Sequence, residues 1–183
     1  MTETRSAGAR RMRAPVAIAA ALLSLVLASA AQASSSVRVE MRDDCDPVTF
    51  NAALGPGACV GNGGTTLQEV NAQLADKGAA GAWKFSRDAF TIDAGTPITV
   101  VTTGGEFHTF TRVAAFGGGC VKPINDLIGL SPVPECAGAP AILGATGARP
   151  GQSFTIAGLA AGTYRYECLI HPWMRSTVTV RRR

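Results

Sequence analysis

The sequence predicts an all-β sandwich with one short helix and long loops clipped by disulfides. Three observations carry that reading. Short apolar runs alternate with a period of two and are separated by Gly, Pro and Asn clusters, the mark of strands and turns. One stretch only, Thr65 to Gly78, has helical spacing bounded by start and stop signals. Five cysteines occur in a chain whose N-terminus reads as an export signal, the setting in which disulfides persist.

The N-terminus is set apart first. Arg5, Arg10, Arg11 and Arg13 precede an apolar run from Ala14 to Ala31, and Ala31-Gln32-Ala33 is an A-x-A cleavage pattern. Residues 1–33 therefore read as a cleaved secretory signal peptide. The run is short for a membrane span and has no basic stop after it. Arg10-Arg11 invites a twin-arginine reading that the following residues do not support. Residues 34–183 are left as one domain, expected in the periplasm or outside the cell, monomeric and without a membrane span. Cleavage takes four of the 17 basic and one of the 13 acidic residues, leaving 13 and 12. The basic excess thus belongs to the signal and to the tip Arg181-Arg182-Arg183. No basic stripe with interleaved aromatics is present, so nucleic acid is not an expected partner.

Within the domain, Val37-Arg-Val-Glu-Met41 alternates and is a first strand. Asp43 to Gly64 is irregular. Thr66 and Glu69 form a capping box, Leu67, Val70 and Leu74 share a face, and Gly78 terminates the single helix. From Trp83 the pattern is β: Trp83 and Phe85 flank Lys84, Phe90 and Ile92 precede a turn at Ala94-Gly95, and Ile98 to Val101 follows. Pro97 belongs at a strand start or edge, since it donates nothing to a ladder. Gly104-Gly105 allow a sharp turn before His108. Ala115 to Gly147 reads as an extended loop with at most a turn of helix near Ile124–Ile128, because Pro123, Pro132, Pro134 and Pro140 break it. Gly117-Gly118-Gly119 lacks the Lys-Ser/Thr of a phosphate cradle. Ser153 to Ile156 resumes the strands.

The chemistry gathers near the C-terminus. In the strand leading to Cys168, Tyr164 and Tyr166 point one way and Arg165 and Glu167 the other. Cys168, His171 and Met174 follow at intervals of three, before a second alternating strand ending at Val180. Thiolate, imidazole and thioether are the ligands that suit copper, and one more imidazole completes a trigonal His₂Cys site with a weak axial Met. The chain has only two histidines. The other, His108, stands at a strand entry. A lone Cys or Met is most often core filler; the combination is what points to metal.

This stretch, Gly162–Val180, resembles the type 1 copper loop of the cupredoxins, of the amicyanin and plastocyanin type, and its Cys-x₂-His-x₂-Met spacing is most like that of amicyanin. The likeness extends more weakly over Trp83–Thr111 and is absent over 43–82 and 117–147. It implies a Greek-key β-sandwich, one type 1 copper held by His108, Cys168, His171 and Met174, and one-electron transfer. It also implies that His108 lies deep and His171 on the solvent side, as the electron port. Leu169, Ile170, Pro172 and Trp173 then read as an apolar patch where a redox protein docks, or as a cover over the metal. Two departures stand out: Ile170 where the family often has Pro before the loop His, and Thr109 where an Asn commonly ties the ligand loops together.

With Cys168 assigned to copper, Cys45, Cys59, Cys120 and Cys136 remain. Three connectivities are open, and the sequential pairing is preferred because each pair brackets a Gly/Pro-rich excursion. Competing functions are copper storage, delivery or sensing, and a metal-free interaction module. Multicopper oxidation needs His-x-His pairs that two histidines cannot supply, and no catalytic triad is visible, so the expectation is not an enzyme.

Overall fold

A computed structural model describes residues 36–183, together with Thr2. The signal-peptide reading over residues 1–33 lies, Thr2 apart, outside the described residues. Strand β1 (Val37–Arg42) keeps the expected alternation, with Val39 and Met41 buried and Arg38 exposed. It runs parallel to β4 (Ile98–Thr102), in a register that pairs Val37 with Ile98 and Met41 with Thr102. Antiparallel β2 (Lys84–Phe85) and β8 (Ser153–Ile156) complete the sheet in the order β2-β1-β4-β8. Pro97 precedes β4 and gives the sheet its carbonyl, which accepts from Val37 N–H. Its missing donor costs nothing there.

The second sheet has the order β3-β10-β9-β6, built from β3 (Ala89–Asp93), β6 (Thr111–Val113), β9 (Gly162–Glu167) and β10 (Arg175–Arg181). Parallel pairing of β3 with β10 mirrors that of β1 with β4. Val39, Met41, Ile98 and Val100 from the first sheet share one core with Ile92, Tyr166, Val178 and Val180 from the second. The two sheets therefore face each other as a sandwich. Phe110 is the aromatic centre of that core. It stacks on Tyr166 at 4.3 Å and meets Phe85 edge-on at 4.8 Å. A small third pair, β5 (His108–Thr109) with β7 (Gly147–Ala148), brings the first ligand strand against the end of segment 117–147.

The helical content exceeds the one helix expected. Helix α1 (Pro47–Leu54) was hidden in the irregular stretch; Asp46 caps it, accepting from Val48 and Thr49 N–H, with Pro47 in the first turn. Helix α2 (Leu67–Lys77) is the predicted one, with the capping box of Thr66 and Glu69 formed and Gly78 left-handed at φ 67°. The segment read as an extended loop has α3 (Lys122–Ile128) where a turn of helix was allowed, and beyond it a 3-10 turn (Pro134–Gly138) and α4 (Ala141–Thr146). Its prolines are accommodated rather than violated: Pro123 and Pro134 fall in first turns, where an N–H would have no partner. Disulfides join Cys45 to Cys59 and Cys120 to Cys136. Each closes a loop within one of the segments 43–82 and 117–147. No helix among the described residues is long and apolar enough to cross a membrane.

Phe110, 1% exposed, fills the space between the sheets, so truncation leaves a cavity that neighbours on rigid strands cannot close. Phe110→Ala is expected to lower stability by about 3–5 kcal/mol in urea denaturation. Val48→Ala, at a site 74% exposed, should change it by less than about 0.5 kcal/mol.

Candidate metal centre

The four predicted ligands come from two places in the fold. His108 opens β5, while Cys168, His171 and Met174 lie in the turn between β9 and β10. That turn closes on itself: Met174 N–H donates to His171 C=O, and Cys168 N–H donates to Met174 C=O. His108 and Cys168 are fully buried, Met174 is 1% exposed and His171 5%. The Sγ of Cys168 lies 3.7 Å from Nδ1 of His171 and 4.0 Å from Nδ1 of His108, and the two Nδ1 atoms are 3.2 Å apart. One point is thus within bonding reach of all three, given ligand bonds of about 2.0–2.1 Å to nitrogen and about 2.3 Å to sulfur, as for zinc. The donor set, with a buried thioether in the same turn, fits one copper ion.

His108 is aimed by a group the sequence did not reveal. Its Nε2 stands 2.7 Å from Oδ2 of Asp43, with both side chains sealed from solvent. That contact occupies Nε2 and leaves Nδ1 for the metal side. Asp43 is itself fixed. Oδ2 also accepts from Glu106 N–H at 3.0 Å, and Oδ1 accepts from Gly105 N–H at 2.9 Å and Cys45 N–H at 3.2 Å. Burial pushes its pKa up, but the bonds from His108 and from backbone N–H groups outweigh it and hold the carboxyl at about 2. The need for Gly104 is explained by close approach rather than by a turn: a Cβ there would strike the Asp43 carboxylate.

Burial opposes ionisation of Cys168 as well, yet its contacts with His108 and His171 hold the thiol well below its ordinary range. For His108 burial is again outweighed, by Asp43 and the Cys168 sulfur, and its pKa rises to about 9. An anionic sulfur between two imidazoles is a site for a cation, whose binding displaces the proton from His108 Nδ1.

Thr109 acts as a tie between the ligand loops. Its N–H points at Cys168 Sγ from 3.4 Å, and its Oγ1 accepts from Leu169 N–H at 2.8 Å. Thr111 Oγ1 donates to Thr109 Oγ1 and contacts Thr146 Oγ1 at 2.7 Å, so the tie reaches into α4. A short side chain suffices because β5 lies directly against the loop.

One expectation is corrected. His171 is not on the solvent side: the Trp83 and Trp173 rings lie 6.5 and 5.5 Å from its own, centroid to centroid, and Phe50 of α1 stacks behind Trp83. Leu169 and Pro172 are buried and Ile170 and Trp173 half-buried, with the Trp173 indole N–H donating to Ala80 C=O, in keeping with the reading of this cluster as a cover over the metal. Glu167, on the face opposite Cys168 as its alternation placed it, is fully buried under segment 117–147. It accepts from Gly117 N–H and Arg175 Nε, and burial lifts its pKa to about 7 against both. Besides Asp43, the sequence reading missed Glu106, whose Oε2 accepts from the Trp83 indole and lies 3.6 Å from His171 Nε2. Its position two residues before His108 was the available signal.

No family model and no curated relative matches the chain. Solved structures are similar at low identity. A purple cupredoxin from Nitrosopumilus maritimus is 16% identical, with 80% of this chain and 100% of that one covered and a TM-score of 0.40. An amicyanin from Paracoccus versutus is 21% identical over 54% of this chain and 73% of that one, with a TM-score of 0.35. A reduced single-site mutant of amicyanin is 21% identical over 57% of this chain and 84% of that one, with a TM-score of 0.36.

Loss of an outer carboxylate that orients a ligating imidazole typically weakens metal affinity by about 10- to 100-fold. Asp43→Asn is expected to fall in that range by competition titration with a metal chelator. Glu40→Gln, an acidic residue on the outside of β1, should leave affinity unchanged.

Proposed function

We propose that the protein is a type 1 copper protein that carries single electrons. The observation supporting this is the convergence of a buried thiolate and two buried imidazoles on one point, with Met174 in the same turn. When bound there, copper supplies one-electron exchange between Cu(II) and Cu(I). The chain's part is to hold a donor set that tolerates both states. Asp43 fixes His108, the tie through Thr109 fixes the loop, and Leu169, Trp83 and Trp173 keep water away. A centre filled by protein ligands leaves no position for a substrate, which favours a carrier over an enzyme.

The remaining expectations are part of the same proposal. The protein acts in the periplasm or outside the cell after signal cleavage, as a monomer, and exchanges electrons with a redox protein docking near His171 and Trp173. Because His171 is covered, electrons would pass through the Trp173 side of the loop rather than directly from an exposed imidazole.

The purified protein, given one equivalent of Cu(II), is expected to develop an intense visible band from thiolate-to-copper charge transfer that ascorbate bleaches and reoxidation restores. Cys168→Ser should abolish the band. Tight but colourless binding would favour storage or delivery, and no binding would overturn the copper reading.

A further inference from the structure

Consecutive residues of the ligand turn are buried in different places. Cys168 belongs, with Met174, to the core between the sheets. Leu169 belongs to a second, smaller core, whose other buried members are Val113 of β6 and Val133 of segment 117–147. Strand alternation explains the split. The side chain after Cys168 leaves by the opposite face, as that of Glu167 does before it. Ile142, Leu143 and the two half-buried sulfurs of the Cys120–Cys136 disulfide pack around this second core, so the segment supplies most of its walls.

The backbone of Leu169 is held as closely as its side chain. Its N–H donates to Thr109 Oγ1 at 2.8 Å, and its C=O accepts from Cys120 N–H. Gly119 comes so near that a Cβ on it would strike the same carbonyl. Side chain, N–H and C=O are thus all engaged, two of the three by segment 117–147. A residue fixed in this way cannot shift without breaking hydrogen bonds and emptying an apolar socket. Its neighbours are the predicted ligands: Cys168 stands directly before it and His171 two residues after.

We propose that Leu169 is a positioning residue, a peg that segment 117–147 grips so that the Cys168–Met174 turn keeps its shape without a metal. That the turn binds copper rests on the proposed function; the grip on the turn does not. The grip gives a task to a segment foreign to the copper-loop resemblance. The competing account is that the second core stabilises the domain as a whole and the turn no more than the rest. The two accounts differ in how the turn responds when the domain is weakened elsewhere.

Cys168 reports that difference. It is the one free thiol, because the other four cysteines form the two disulfides, and it is fully buried. Iodoacetamide reaches it only when the turn opens, so the alkylation rate of the apoprotein at fixed pH measures that opening. Leu169→Ala is expected to raise the rate at least about tenfold, since emptying a buried Leu site shifts an equilibrium by more than a decade. Val133→Ala, in the socket but outside the turn, should raise it as well, and decides the matter if Leu169→Ala does not fold. Phe154→Ala, on β8 and packed against the main core, should lower stability in urea while leaving the rate unchanged. An unchanged rate in either of the first two variants when folded, or a rise of the same size in Phe154→Ala, would overturn the proposal. A chain that shows the expected alkylation pattern and binds no copper keeps the grip and loses only the copper reading.

Discussion

The contact on which the site depends is the buried pairing of Asp43 with His108. An isolated carboxylate sealed from water is among the most costly groups a fold can hold. Here the cost is met by four donors: three backbone N–H groups and one imidazole nitrogen. Most of those donors lie about sixty residues away from Asp43 in the chain. Asp43 can be satisfied only if the end of β1 and the Gly105–His108 turn are brought together. The same satisfaction sets which nitrogen of His108 faces Cys168. Folding energy and ligand orientation are thus one requirement. Close approach also accounts for Gly105: Cys45 Sγ lies where a side chain on it would have to go.

What was legible in the sequence was whatever is local. The Cys168–His171–Met174 turn, the alternation of β1 and β10 and the capping box of α2 each occupy a few consecutive residues, with period and chemistry in plain view. His108 was found because only two histidines exist. Asp43 was not, because nothing in Asp43-Asp44-Cys45 distinguishes a buried second partner from a turn residue. Helix α1 had its signals, an Asp46 cap and Pro47 in the first turn, but its short span in a Gly- and Asn-rich neighbourhood masked them. Glu167 shows the limit of period-two reasoning. Alternation correctly placed it on the opposite face from Cys168, but could not say that segment 117–147 would cover that face.

That covering changes what kind of centre this is. Arg175 donates to Glu167, to the Pro172 carbonyl and to the Gly117 carbonyl, while its guanidinium rests over Phe116 at 5.2 Å. Cys120 N–H donates to the Leu169 carbonyl. The ligand turn is therefore strapped from one side by the disulfide-closed segment and roofed from the other by α1, α2 and α3. A loop held from both sides cannot reorganise much when its charge changes, which is the condition for rapid electron exchange. The same enclosure would slow the entry and departure of a metal ion, which argues against a role in copper delivery.

The roof has a further physical consequence. His171 sits between two tryptophans and 3.6 Å from a carboxyl oxygen of Glu106, whose pKa burial pushes up, so its surroundings are aromatic with one acidic group. Negative charge close to a metal centre favours its higher oxidation state, and exclusion of water strengthens that effect by lowering the local dielectric. Asp43 acts in the same sense through His108. Two acidic side chains, one beside each imidazole, thus bear on one ion. Exclusion of water by itself favours the state of lower charge, so the enclosure and the carboxylates oppose each other. The potential of a copper ion held here would follow from that opposition, and the acidic partners of His108 and His171 are the groups by which this chain sets it.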